Sequence, residues 1–146
     1  IKVAKDKGIP IYASRDWHPS KHLSLKSQGG PWPPHCVQDT PGAQFHPKLE
    51  LPPEVQKLSK GVRLDKDQYS AFDETGLGKH MRDENIQRVW VGGLAQDVCV
   101  CASATDCAKE GFETWLIKNA TYPVSAEGGE KSLKEMESAG VHFVES

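Results

Sequence analysis

Residues 88–100 read RVWVGGLAQDVCV, and this stretch decides the fold class. It starts with the run RVWV at 88–91, whose last three residues are apolar without alternation, as is typical of a strand buried on both faces of a parallel sheet. Two glycines then lead into a segment rich in small side chains, 97–110, which predicts a helix that stops at Gly111. A strand followed directly by a helix is the repeating unit of an α/β domain with right-handed crossovers.

The same alternation of elements extends over the rest of the second half. The apolar runs 114–117 and 141–144 predict strands, and helices are predicted over 75–82 and 127–139. Residues 9–14 predict a strand near the start, after the last turns of a helix closed by Gly8. We therefore expect a mainly parallel sheet in a single domain over residues 1–146.

The long middle of the chain, residues 16 to 73, contains most of the proline and glycine and shows little periodicity, so we expect little regular structure there. A segment of that length in a compact domain is usually functional. It holds four of the six histidines, which are His18, His22, His35 and His46.

Composition excludes several classes of protein. Among 146 residues, 18 are Lys or Arg and 20 are Asp or Glu, and this balance argues against a protein that binds nucleic acid through phosphate contacts. No apolar run approaches the roughly 18 residues of a membrane span, and no secretory signal is visible. The four cysteines do not have disulfide-framework spacing, so we expect a reducing, cytoplasmic environment.

A first group of chemically competent residues follows the first predicted strand. Asp16 and His18 come directly after it, and the proline-rich loop delivers His35. A carboxylate with imidazoles suits Zn, Mn or Fe(II) and leaves positions for water or substrate. The alternatives are ordinary loop histidines that are satisfied by hydrogen bonds, or a structural zinc site that includes Cys36.

A second group lies where the strand at 88–91 leads into its helix. Cys99 is predicted in the first helical turn, where unpaired N–H groups and the helix dipole favour a thiolate. The same N–H groups could hold an oxyanion. The alternative is that Cys99 is a buried small apolar residue, which is the interpretation we favour for Cys101 and Cys107.

Taken together, these motifs resemble a known family. The matching segments are SRDWHP at 14–19, GGPWPPHCV at 29–37, TPGA at 40–43, YSAFDETGL at 69–77 and GLAQDVCV at 93–100. In this order they resemble the nicotinamidases, also called pyrazinamidases, of the isochorismatase-like cysteine hydrolases. The resemblance covers nearly the whole chain and implies a three-layer α/β/α fold.

The resemblance also implies roles for individual residues. Cys99 matches the nucleophile that forms a thioester, and Lys60 matches a catalytic lysine beside it, although by sequence alone Lys60 would be an ordinary exposed lysine. A cis peptide is implied between Leu94 and Ala95, with the N–H groups of Ala95 and Cys99 as the oxyanion hole.

A metal site and a substrate pocket are implied as well. Asp16, His18 and His35 match the metal ligands, and His22 matches an additional ligand of some members. Zinc is favoured, with iron and manganese as alternatives. Three residues are assigned to the pocket for the substrate ring, namely Trp32, Tyr69 and Leu94.

The implied reaction hydrolyses a small-molecule amide, nicotinamide, to nicotinate and ammonia, within NAD salvage. Neither nucleic acid nor membrane is expected as a partner. The family's aspartate base, in a segment resembling D-x-Q-x-x-F at the end of its first strand, has no counterpart here, so we expect an N-terminally incomplete domain that lacks this strand. The missing central strand favours a homo-oligomer. The alternatives are another amidase of the superfamily, such as one for carbamoyl compounds, and a non-catalytic metal-binding relative.

Overall fold

The computed structural model describes residues 1–146 and divides them into two compact units, Ile1–Gln68 and Tyr69–Ser146. The first unit contains helix α1 (Lys2–Asp6), strand β1 (Tyr12–Asp16) and strand β2 (Gln56–Lys60). The second contains α2 (Leu77–Asp83), β3 (Arg88–Leu94), α3 (Cys101–Lys109), β4 (Glu113–Tyr122), α4 (Ala126–Ser138) and β5 (His142–Val144). None of these helices has the length and apolar character needed to cross a membrane.

In the first unit, β1 and β2 pair in parallel, and Asp16 is the register partner of Lys60. The carboxyl ends of the two strands therefore bring a carboxylate and an ammonium group to the same edge of the sheet. The predicted strand over 9–14 lies too early, because the strand runs from Tyr12 to Asp16 and includes the aspartate.

Strand β2 corrects the expectation that the middle of the chain lacks regular structure. Its sequence, QKLSK, has a single apolar residue, and its first two side chains are exposed. Five residues of that composition carry no strand pattern of their own, and backbone pairing with β1 makes them a strand. The rest of the segment is loop, with short 3-10 turns at Lys26–Gln28, Pro41–Ala43 and Pro47–Leu49.

Backbone hydrogen bonds tie the proline-rich loop to the residues that follow β1. The N–H of His18 donates to the carbonyl of Cys36 at 2.8 Å, and the N–H of Gln38 donates to the carbonyl of His18 at 2.8 Å. This short parallel bridge, His18 to Val37, holds the loop close to His18 only two residues after His35.

In the second unit, β3, β4 and β5 form a parallel sheet in that order. Its core packs one sheet face against α3 and α4, and the buried members are Val100, Cys101, Ala104, Leu116, Met136 and Val141. Every strand pair in the structure is parallel, which confirms the predicted α/β class.

The boundaries of the second unit differ from prediction at the strand-to-helix junction. Strands β3 and β4 run beyond their apolar runs, because a bulge lets Gly93 pair with Thr121 and Leu94 with Tyr122. Residues Gln96–Val100 form a π-type turn, closed by the N–H of Val100 on the carbonyl of Ala95 at 3.0 Å, and α3 begins only at Cys101. Cys99 therefore lies in this wider turn and not in the first turn of an α-helix.

Candidate active site

Asp16, His18 and His35 come together in the first unit. Their ligand atoms all lie within 4.8 Å of one another. The strand end supplies Asp16, the residues after it supply His18, and the bridged loop supplies His35. Three parts of the chain thus meet at one point, as the sequence predicts for a metal site.

Hydrogen bonds fix the tautomers of both histidines. Nδ1 of His18 lies 2.8 Å from the carbonyl oxygen of Gly61, and Nδ1 of His35 lies 2.8 Å from that of Pro33. A carbonyl only accepts, so each Nδ1 carries the hydrogen and donates it. Each Nε2 is then left with a lone pair, which is the arrangement found in histidines that bind a metal.

Burial favours the neutral form of His18. Its side chain is 2% exposed, and desolvation lowers the pKa of His18, although the Gly61 carbonyl and the Asp16 carboxylate offset part of that effect. A neutral imidazole is the form that ligates a metal ion.

The side chain of Lys60 is also part of this group. Its Nζ donates to Oδ1 of Asp16 at 2.5 Å and to the backbone carbonyl of Gln68 at 3.2 Å. Lys60 is only 3% exposed, which corrects the expectation of an ordinary exposed lysine. The second carboxylate oxygen, Oδ2, lies 3.7 Å from Nε2 of His18 and faces the histidines. Sequence analysis missed Gln68, since no pattern marks a residue that acts through its backbone.

His22 is completely buried and stacks on His18, with ring centroids 4.2 Å apart. Its Nε2 donates to the carbonyl of Lys66 at 3.1 Å, and its Nδ1 accepts from the backbone N–H and the hydroxyl of Ser24. With His18 and Asp67 it forms a second group within 4.8 Å, but both of its nitrogens already have partners. Metal binding through His22 would require breaking one of these bonds.

The donor set fits a catalytic metal ion. One carboxylate and two imidazole nitrogens are ligands for Zn, Fe(II) or Mn, and three protein ligands leave coordination positions open. Neither ligand group contains a cysteine, and Cys36 instead offers its backbone carbonyl to His18. The alternative of a structural zinc site with Cys36 therefore finds no support in this geometry.

The second unit carries the predicted nucleophile segment. Cys99 is partly buried in the π-type turn Gln96–Val100. The implied cis peptide between Leu94 and Ala95 is confirmed. Cys101 and Cys107 are buried in α3, and desolvation raises the pKa of both thiols, that of Cys107 to about 11. These two cysteines are apolar packing residues, as the sequence predicts.

The residues assigned to the ring pocket are distributed over both units. The Trp32 ring lies 6.1 Å from the His35 ring in the first unit. In the second unit Leu94 is 74% exposed and Tyr69 is 37% exposed. The segment after Tyr69 is anchored by the N–H of Ala71, which donates to the Ser103 hydroxyl on α3 at 2.9 Å.

Comparison with known proteins decides the family. The Isochorismatase domain matches residues 1–146. The chain belongs to the isochorismatase family. Within this family, the nicotinamidase/pyrazinamidase of Mycobacterium tuberculosis is 36% identical over 92% of this chain and 75% of its own.

Solved structures of isochorismatase-family proteins share the fold. The pyrazinamidase of Pyrococcus horikoshii in complex with zinc superposes with a TM-score of 0.96 at 43% identity, over 100% of this chain and 80% of that one. PnC1 from L. infantum in complex with nicotinate has a TM-score of 0.86 at 38% identity, over 92% of this chain and 70% of that one. The parallel α/β architecture is thus that of the isochorismatase family.

Proposed function

We propose that this protein is a metal-dependent amidohydrolase that converts nicotinamide to nicotinate and ammonia through a thioester on Cys99. The observation that carries the proposal is the ligand group of Asp16, His18 and His35, in which both histidines are held in the metal-binding tautomer. Relatives named nicotinamidase, and structures with zinc and with nicotinate, support the same substrate and cofactor.

Cys99 is the proposed nucleophile. The Cys99 thiol gives up its proton and attacks the carboxamide carbon, so that a sulfur–carbon bond forms. The carbon–nitrogen bond breaks as the amide nitrogen takes up one proton, equivalent to the one that the thiol lost, and leaves as ammonia. Water then hydrolyses the thioester, which releases nicotinate and restores the thiol. The N–H groups of Ala95 and Cys99 are proposed to stabilise the oxyanion in both steps.

Lys60 and the ligand group are proposed to take part in the same reaction. The Lys60 ammonium, paired with the Asp16 carboxylate at 2.5 Å, is proposed to act as a proton donor. The metal held by Asp16, His18 and His35 would supply a Lewis acid that orients the substrate and its waters. Trp32, Tyr69 and Leu94 are proposed to contact the pyridine ring of the substrate. His22 is proposed to hold the His18 ring in place by stacking on it.

Several finer assignments complete the proposal. Zinc is the proposed metal over iron or manganese, in agreement with the zinc complex of the P. horikoshii relative. The family match over residues 1–146 supports a single domain. The four cysteines are thiols and form no disulfide, which supports a reducing, cytoplasmic location. A role in NAD salvage is proposed because the relatives are named nicotinamidases. We propose a homo-oligomer without nucleic-acid or membrane partners.

Ammonia release from nicotinamide by the zinc-loaded protein tests this function. We expect Cys99→Ala to abolish turnover while zinc stays bound, because the ligands lie on other residues. Cys107→Ala is the matched control, since its thiol is buried and should leave turnover intact. Turnover of a carbamoyl compound but not of nicotinamide would favour another amidase, and bound zinc without any turnover would favour a non-catalytic metal-binding protein.

A further inference from the structure

The π-type turn Gln96–Val100, which contains Cys99, is called the cysteine turn here. The side chains of its first two residues, Gln96 and Asp97, contact the connection between β4 and α4. Gln96 is 8% exposed and uses both ends of its amide. Its Nε2 lies 3.2 Å from the carbonyl of Gly129 and 3.3 Å from the hydroxyl of Ser132, and its Oε1 accepts from the hydroxyl of Thr121 at 3.1 Å. Gln96 thus joins the turn to the end of β4 and to the first turns of α4.

Asp97 makes a second set of contacts to the same connection. Its Oδ1 accepts from the N–H of Val124 at 2.8 Å, and its Oδ2 faces the N–H of Ser125 at 3.4 Å. The carboxylate also packs closely on α4, because a Cβ added at Gly128 would lie 2.3 Å from Oδ2. The glycine therefore gives the carboxylate room.

The backbone of the cysteine turn is by itself only weakly stabilised. It spans only five residues, Gln96–Val100, and π-type helical structure is rare and occurs mostly as single turns. The five side-chain contacts of Gln96 and Asp97 therefore have a large effect on where the turn lies.

Capping of α4 does not require Asp97. The hydroxyl of Ser125 already accepts from the N–H of Gly128 at 3.0 Å and caps the helix. Because Ser125 already caps α4, we assign the Asp97 contacts to the placement of the cysteine turn.

We propose that Gln96 and Asp97 are positioning residues that hold the Cys99 thiol in its attacking geometry by anchoring the cysteine turn to the β4–α4 connection. The inference rests on the proposed role of Cys99. It assigns no contact with substrate to either residue. Its consequence is that loss of these hydrogen bonds should slow the chemical step and leave substrate binding nearly unchanged.

The test compares Asp97→Ala, Asp97→Asn, Gln96→Leu and Ser125→Ala in the zinc-loaded protein, with kcat expressed per folded molecule and the melting temperature measured in parallel. We expect Asp97→Ala and Gln96→Leu to lower kcat by about tenfold to a hundredfold, the scale of a roughly 1 Å misplacement, with KM for nicotinamide within about twofold. Asp97→Asn retains an acceptor for Val124 and should stay within about threefold of the parent.

Ser125→Ala is the matched control. It removes the helix cap from the same connection and lowers the melting temperature, but it leaves the contacts of Gln96 and Asp97 in place, so kcat should stay within about twofold. The inference is wrong if Ser125→Ala lowers kcat as much as Asp97→Ala does, if Asp97→Ala keeps parental kcat, or if Asp97→Asn fails as fully as Asp97→Ala.

Failure of the proposed function gives a different result from failure of this inference. Turnover by Cys99→Ala would refute the role of the cysteine itself. An inactive Cys99→Ala together with a fully active Asp97→Ala would refute only the positioning role.

Discussion

A single methyl group at position 61 should disrupt the metal site. Gly61 has φ +62, and a Cβ built there would lie 2.4 Å from Cε1 and 2.6 Å from Nδ1 of His18. The carbonyl of the same residue accepts the hydrogen bond that sets the His18 tautomer. Gly61→Ala therefore affects both the backbone and the ligand.

The size of the effect follows from these distances. Real Cβ atoms essentially never approach other atoms below 3.0 Å, so the His18 ring would have to retreat by about 0.6 Å. Metal–ligand distances tolerate only about 0.2 Å, so we expect zinc affinity to fall by at least the roughly 10–100-fold seen when outer-shell partners are lost. The left-handed backbone adds about 1–2 kcal/mol of destabilisation.

Gly8→Ala separates these two contributions. Gly8 has nearly the same backbone angle, φ +64, but a Cβ there would meet nothing within 4 Å. Zinc affinity is measured by competition with a chromophoric chelator, and unfolding free energy is measured in urea. Both variants should lose similar stability from backbone strain, while only Gly61→Ala should lose zinc. Equal zinc affinities in the two variants would refute the steric argument.

Three further predictions address single side chains. His35→Ala should reduce zinc affinity by more than about 100-fold in the same chelator assay, whereas His46→Ala, which removes an exposed histidine outside the ligand group, should not change it. In metal-free protein, the lowered pKa of His18 means that below its ordinary value of 6.5 the unfolded chain binds more protons than the folded one. The free energy of unfolding, measured by urea titration at a series of pH values, should therefore fall as pH drops through 6.5 toward the folded pKa. In His18→Gln, the unfolding free energy should depend less steeply on pH over the same range. Because the pKa of Cys107 is raised to about 11, iodoacetamide at pH 8.5 should leave that thiol unmodified in the folded protein and modify it in urea, as read by peptide mass; modification at equal rates in both states would contradict its burial.

Pattern and composition predicted the class of fold and the residues to consider. The apolar runs at 88–91 and 114–117 fall in parallel strands β3 and β4, and helices α2 and α4 lie within a few residues of their predicted positions. The continuous run at 88–91 marks the strand, but exposure along β3 alternates and Trp90 is 46% exposed. The expected burial on both faces is therefore wrong for β3, since the core of this unit packs one sheet face against α3 and α4. The parallel pairing then follows from alternation with helices.

Two errors share one physical cause. Strand β2 and the burial of Lys60 were not predicted, since a polar pentapeptide with one leucine carries no local signal. Pairing with β1 creates the strand, and the register with Asp16 turns its last lysine from a surface residue into a buried partner of a carboxylate.

The amino-acid sequence identifies the reactive groups that are available: a carboxylate, several imidazoles and a cysteine that follows a strand. The role of each group depends on contacts that form only when the chain folds. The carbonyls of Gly61 and Pro33 select the tautomers of His18 and His35, whereas Ser24 and Lys66 engage both nitrogens of His22. The three histidines are indistinguishable in the sequence. Whether a ring nitrogen keeps a lone pair for a metal depends on the hydrogen-bond partners that the fold brings to each ring.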